Sequence, residues 1–164
     1  MTIRILIAVL FSALIFNGCK CTKEYECGDP PIYPAFIGFS AADIDTFVVR
    51  KYQPNTNYQN LVDTFVIKYS DYYRTSNDTT KVILYLKGDQ GIKPGFDWQV
   101  FIPAVQKTVF VSDIRGNKKT TECGALAAPS NCGCANDLFS AKQDNQIITF
   151  TDTDRQPPFI YIRK

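Results

Sequence analysis

From Ala35 onward, apolar residues return at every second position in short runs closed off by Asn, Asp, Gly and Pro. That spacing marks strands with one face buried. The runs are residues 35–40, 46–52, 63–70, 98–102, 108–113, 147–151 and 159–163. In the second, Phe47 and Val49 share a face; in the third, Phe65, Ile67 and Tyr69 oppose Val66 and Lys68. Residues 81–87 differ, with Val82, Ile83, Leu84, Tyr85 and Leu86 apolar on both faces, which predicts a central strand. Pro103-Ala104-Val105-Gln106 reads as a hairpin connection between two strands. No helical stripe of useful length competes. The expectation is an all-β sandwich of about seven to eight strands.

Two regions break the alternation. Residues 53–60 are rich in Asn and Gln and read as an exposed connection. Residues 116–145 are long for a loop and hold Cys123, Cys132 and Cys134, so cysteine bridges are expected to hold them together. Ahead of the strands, Gly28-Asp29-Pro30-Pro31 and Pro34 follow a polar stretch, which predicts a stiff tether over residues 19–34 and a folded domain over 35–164.

The extreme N-terminus has its own pattern. Arg4 precedes an apolar run, residues 5–16, interrupted only by Ser12, and Gly18 stands directly before Cys19. The run is too short for a spanning helix, which needs ~20 residues. It reads as an export signal over residues 1–18 ending in a lipobox, with Cys19 as the lipid-bearing first residue of the mature chain. Phe16 and Asn17 depart from the commonest lipobox residues, and ordinary cleavage with secretion is the alternative. Lys20 after the cysteine, with no acidic run beyond it, points to an outer membrane and favours its periplasmic face over the cell surface.

Removing 18 of 164 residues leaves 146, one domain's worth. The formal charge is +2, and Arg4 is the only charge in the signal, so the mature side chains sum to +1. Nucleic-acid binding therefore lacks its electrostatic footprint. The chain has no histidine. This removes Ser-His-Asp and Cys-His catalysis and histidine-based zinc sites, and no cofactor motif stands in their place. In an exported chain the cysteines are expected in disulfides. Cys132 and Cys134 are too close to bridge each other comfortably, so one should pair with Cys123 and the other can reach Cys27 or Cys21. A four-cysteine zinc site lacks any C-x-x-C pair.

The lipobox, Asp43-Ile44-Asp45-Thr46-Phe47 leading into Arg50-Lys51-Tyr52, Cys132-Gly133-Cys134 and the closing Ile160-Tyr161-Ile162-Arg163-Lys164 resemble the small outer-membrane lipoproteins of the Bacteroidota type. The resemblance spans most of the mature chain. It implies outer-membrane attachment and an immunoglobulin-like sandwich, and it implies no activity.

Three constellations could carry chemistry. Asp43, Asp45 and Asp63 offer oxygen ligands for calcium but lack the Gly and Glu of an EF-hand loop, so acids at a strand boundary are the simpler reading. Tyr69, Tyr72, Tyr73 and Trp98 could stack on sugar rings, with Asn57, Gln59, Asn60 and Asp71 serving hydroxyls; against this, aromatics of this kind usually fill sandwich cores. Asn77-Asp78-Thr79 matches a glycosylation sequon. The expected function is a non-enzymatic, membrane-anchored lipoprotein that binds an envelope partner or serves a structural role. The alternative is a glycan-binding accessory lipoprotein of a polysaccharide-uptake system, with Tyr72, Tyr73 and Trp98 at its site. A thiol-redox role for Cys132-Gly133-Cys134 is a third class.

Overall fold

The computed structural model describes residues 22–71, 81–87, 90–124, 134–150 and 157–164. Residues 1–18, read as an export signal, together with Cys19, Cys21, Tyr72, Tyr73, the sequon at Asn77 and Cys132, lie outside the described residues. The chain divides into two compact units, Met1–Glu26 with Thr120–Cys134, and Cys27–Lys119 with Ala135–Lys164.

The smaller unit, as far as it is described, is a two-stranded antiparallel ribbon. Its strands are β1 (Thr22–Glu26) and β8 (Thr120–Gly124), with Lys23 opposite Cys123.

The larger unit is a β-sandwich. One sheet has six antiparallel strands in the order β10 (Gln146–Thr149), β9 (Asp137–Gln143), β7 (Lys107–Asn117), β6 (Asp97–Ile102), β3 (Thr46–Tyr52) and β4 (Leu61–Lys68). The other has three, β11 (Phe159–Arg163), β2 (Tyr33–Ile37) and β5 (Lys81–Ile83), with β11 parallel to β2 and β5 antiparallel to it. The alternation read from the sequence explains the packing. Phe47 and Val49 of β3, Val100 and Ile102 of β6, and Val109 and Val111 of β7 point inward to Phe36, Ile160 and Ile162 of the smaller sheet. The Phe36 and Phe47 rings meet edge to face, 5.1 Å between centroids, so the sheets touch directly. Side chains of this size contribute about 1.5–3 kcal/mol each when fully buried, which makes the shared core the main stabilising feature.

The expected all-β sandwich is therefore present, with strands split six and three rather than four and three as in a constant-type immunoglobulin domain. The 103–106 connection is a 3-10 turn, Pro103–Val105, closed by Gln106 in the left-handed region. A two-residue turn with positive φ at both Asp144 and Asn145 joins β9 to β10, the geometry that matches the twist of a hairpin.

Three expectations need correction. The stretch read as a tether is part of the fold from Cys27 onward: Ile32 is fully buried and bridges Ile92, Gly28 bridges Ala135, and β2 begins at Tyr33, ahead of the expected boundary at 35. Proline and glycine interrupt ladders there without preventing burial. Residues 81–87 are not a central strand. The strand proper is Lys81–Ile83, at the edge of the smaller sheet; Leu84 follows in a single bridge, its N–H reaching the Pro34 carbonyl at 3.4 Å, and Leu86 reaches the core from irregular chain. Finally, the presumed loop at 116–145 contains β8, β9 and the end of β7.

Candidate functional site

Among the described residues of the larger unit, an open cleft lies where β7 loses its register. Pairing of β7 with β9 slips between Ser112 and Arg115 and again between Arg115 and Gly116. Asp113, at the slip, adopts φ of 49°, a left-handed conformation that Asp tolerates better than most residues. Such bulges bend a strand and re-aim its side chains. Gly116 makes the slip possible, because a Cβ there would collide with the Asp137 carbonyl oxygen and crowd the Leu138 side chain.

The displaced segment lines an open cleft of about 360 Å³ together with chain brought from elsewhere. Its walls are Ile114, Arg115, Gly116, Asn117 and Lys118 of β7 and its extension, Phe139 of β9, Pro94, and Asp29. Asn136, one of two buried polar residues among those described, holds Asp29 in place. Its side-chain amide donates to Asp29 Oδ1 at 2.7 Å, its Oδ1 accepts from Lys119 N at 2.8 Å, and its own N–H reaches the Gly28 carbonyl at 2.9 Å.

Charges around the cleft are mostly paired. Arg115 donates through Nε and Nη2 to both oxygens of Asp113, at 3.0 and 2.9 Å, and Lys142 approaches the same carboxylate at 3.3 Å. Hydrogen bonding from Arg115 holds the Asp113 carboxyl below its ordinary value against an opposing desolvation, with Lys142 adding to the lowering, and Asp113 in turn raises Arg115. Lys119 pairs with Asp137 at 2.6 Å. Lys118 is exposed and has no ion-pair partner among the described residues. Phe139 is an aromatic ring 44% exposed on a strand with neighbours on both sides. An aromatic face, a carboxylate, an amide and one uncompensated ammonium thus converge on one cleft.

The residues expected to bind a ligand are placed differently. Trp98 is 1% exposed, packs edge to face on Phe96, and donates Nε1–H to the Lys93 carbonyl at 2.8 Å. It presents no face to a sugar, and its assignment as a binding residue is corrected to core. Tyr69 packs against the core, so it does not extend a platform either. In the 53–60 connection, Tyr58 folds back onto Tyr52 and Phe110, with centroids 5.6 and 4.5 Å away, and burial raises its hydroxyl pKa. Asp43 accepts from Ser40 and from Lys164 Nζ at 2.7 Å, so its carboxylate is engaged with an ammonium. No group of three or more acidic, Cys or His ligands assembles among the described residues.

Cys27 and Cys134 form a disulfide, one of the pairings the cysteine spacing allowed. Cys123 is also disulfide-bonded. Asp29, Arg115, Lys118 and Phe139 were not evident as a set in the sequence. Gly116 stands in the polar stretch Ile114-Arg115-Gly116-Asn117-Lys118, which shows no strand alternation, so its close backbone approach left no local signal. No family model, curated protein or solved structure significantly matches the chain.

Proposed function

We propose that the chain is exported, held in the bacterial cell envelope by lipid on Cys19, and works there as a binding module rather than as an enzyme. The N-terminal pattern of Arg4, the apolar run and Gly18-Cys19 supports the anchor. The Cys27–Cys134 disulfide supports an oxidising compartment. The observation that carries the binding reading is the cleft beside the β7 bulge, whose mixed apolar and polar lining suits orientation of a ligand. Without histidine, the chain lacks the usual proton carrier near neutral pH.

The test has two parts. Metabolic labelling with an alkyne fatty acid should mark the parent chain and leave Cys19→Ala unmarked; equal labelling of both sinks the anchor. Ligand screening against the purified protein should then find binders whose affinity falls in Asn117→Ala. Binders indifferent to every change in the cleft would refute the site.

A second reading, glycan binding in support of polysaccharide uptake, is favoured by the exposed Phe139 ring flanked by Asp29, Asn117 and Arg115. Sugar rings offer an apolar C–H face and a rim of hydroxyls, and that lining matches both. A glycan array that stays blank removes this reading and leaves the anchor untouched.

A further inference from the structure

We infer that the cleft beside the β7 bulge is a subsite for an acidic saccharide, a sugar ring carrying a carboxylate of the uronic-acid kind. The inference rests on the glycan reading and gives it a ligand class. It starts from where the exposed aromatic ring lies. Of the large hydrophobic side chains exposed among the described residues, Leu61, Val62 and Val66 lie on β4, Ile147 on β10 and Tyr161 on β11, which are all edge strands. Phe139 lies on β9, between β10 and β7, and its ring lines a cavity. At about 360 Å³ that cavity falls near the small end of ligand sites, which run from ~300 Å³ upward.

The charges choose among ligands. Arg115 is matched by Asp113, and Lys119 by Asp137. Asp29 accepts the Asn136 amide, which leaves carboxylate lone pairs for hydroxyl donors. Lys118, with no ion-pair partner among the described residues, lines the same cleft as Phe139 and the Asp29 carboxylate. A neutral sugar would use the ring, Asp29 and Asn117 and leave Lys118 idle. A sugar with a carboxylate uses all four. A free amino acid could also meet both charges, but an open cleft leaves each ion pair in water, where it is weak. A sugar gains instead from the ring face and from several hydroxyls at once.

The experiment is calorimetric titration of the full chain in detergent. The probes are an oligosaccharide containing glucuronic acid, its glucose counterpart of the same linkage, and glycine as a zwitterion. The acidic oligosaccharide should bind more tightly than the glucose one, and added salt should narrow the difference. Lys118→Glu should weaken the acidic probe about fivefold or more and leave the neutral one unchanged, as expected for an exposed ion pair reversed in sign. Phe139→Ala should weaken both, and thermal melts of both variants should match the parent. Equal binding of the two oligosaccharides overturns the acidic assignment and leaves the glycan reading standing. Binding of neither overturns both. Tighter binding of glycine, or saccharide binding indifferent to both substitutions, overturns the site.

Discussion

Gly116 lies where β7 is pressed against β9, and the obstacle to any side chain there is backbone, the Asp137 carbonyl. Backbone cannot swing aside as a side-chain tip can. Gly116→Ala is therefore expected to cost about 1–3 kcal/mol, read as a lower urea midpoint, and to distort the cleft. Asp43 gives a prediction in pH. Hydrogen bonds from the Lys164 ammonium, then from the Ser40 N–H and hydroxyl, hold its carboxyl down at about 2 against an ordinary 3.8. The unfolded chain takes up that proton first, so the contribution is complete above 3.8 and fades as pH falls towards 2. Unfolding midpoints of the parent and Asp43→Asn should differ near neutral pH and converge by about pH 2. A gap that persists to the lowest pH would show that Asp43 acts through something other than its charge. At this scale the sequence was uneven. The return of Phe47 and Val49 to one buried face was readable, whereas Gly116, read as the start of a loop, gave no sign of its close approach, and nothing in Asp137-Leu138-Phe139-Ser140 distinguishes an exposed ring from a core one.

Among the strands, β4 is the one with most exposed apolar surface. It closes the six-stranded sheet at one end, and Leu61, Val62 and Val66 face solvent, Val66 at 62% exposure. In an antiparallel pair every second residue turns its N–H and C=O away from the partner. On the outer side of β4 the charges available to discourage a new strand are Asp63, which caps the Thr64 N–H at 2.7 Å, and Lys68. Long apolar edges template pairing with other chains. Val66→Lys is expected to lower concentration-dependent light scattering while shifting stability by no more than about 0.5 kcal/mol. Unchanged scattering would place any self-association elsewhere. The long regular elements were legible because a half-buried strand writes its geometry as alternation: 46–52 and 159–163 are found at those bounds. Residues 81–87 were not, because a run apolar at every position records burial without recording whether the chain is extended and paired. Residues 116–145 misled in the opposite sense, since polar ribbons such as β8 carry little apolar period.

For the molecule as a whole, the Cys27–Cys134 bridge closes a loop of roughly 100 residues, and in the chain-entropy view such a closure contributes on the order of 4 kcal/mol. Reductant should lower the melting temperature of the parent, and Cys27→Ser with Cys134→Ser should mimic that loss and respond less to reductant. Lipid on Cys19 would leave an odd number of cysteines among Cys21, Cys27, Cys123, Cys132 and Cys134. Mass spectrometry of the mature protein should then find one free thiol, and three disulfides would refute the lipidation. A last consequence concerns the parallel pairing of β2 with β11, Tyr33 beside Phe159. A chain threaded N-terminus first carries one half of this sheet long before the other half arrives. Until then Ile32 and Phe36 wait without their cover, and long-range pairings of this kind form slowly. A version ending at residue 156 should remain open and protease-sensitive. The order of the strands thus works as a clock, with the last of them as the latch that lets the molecule close.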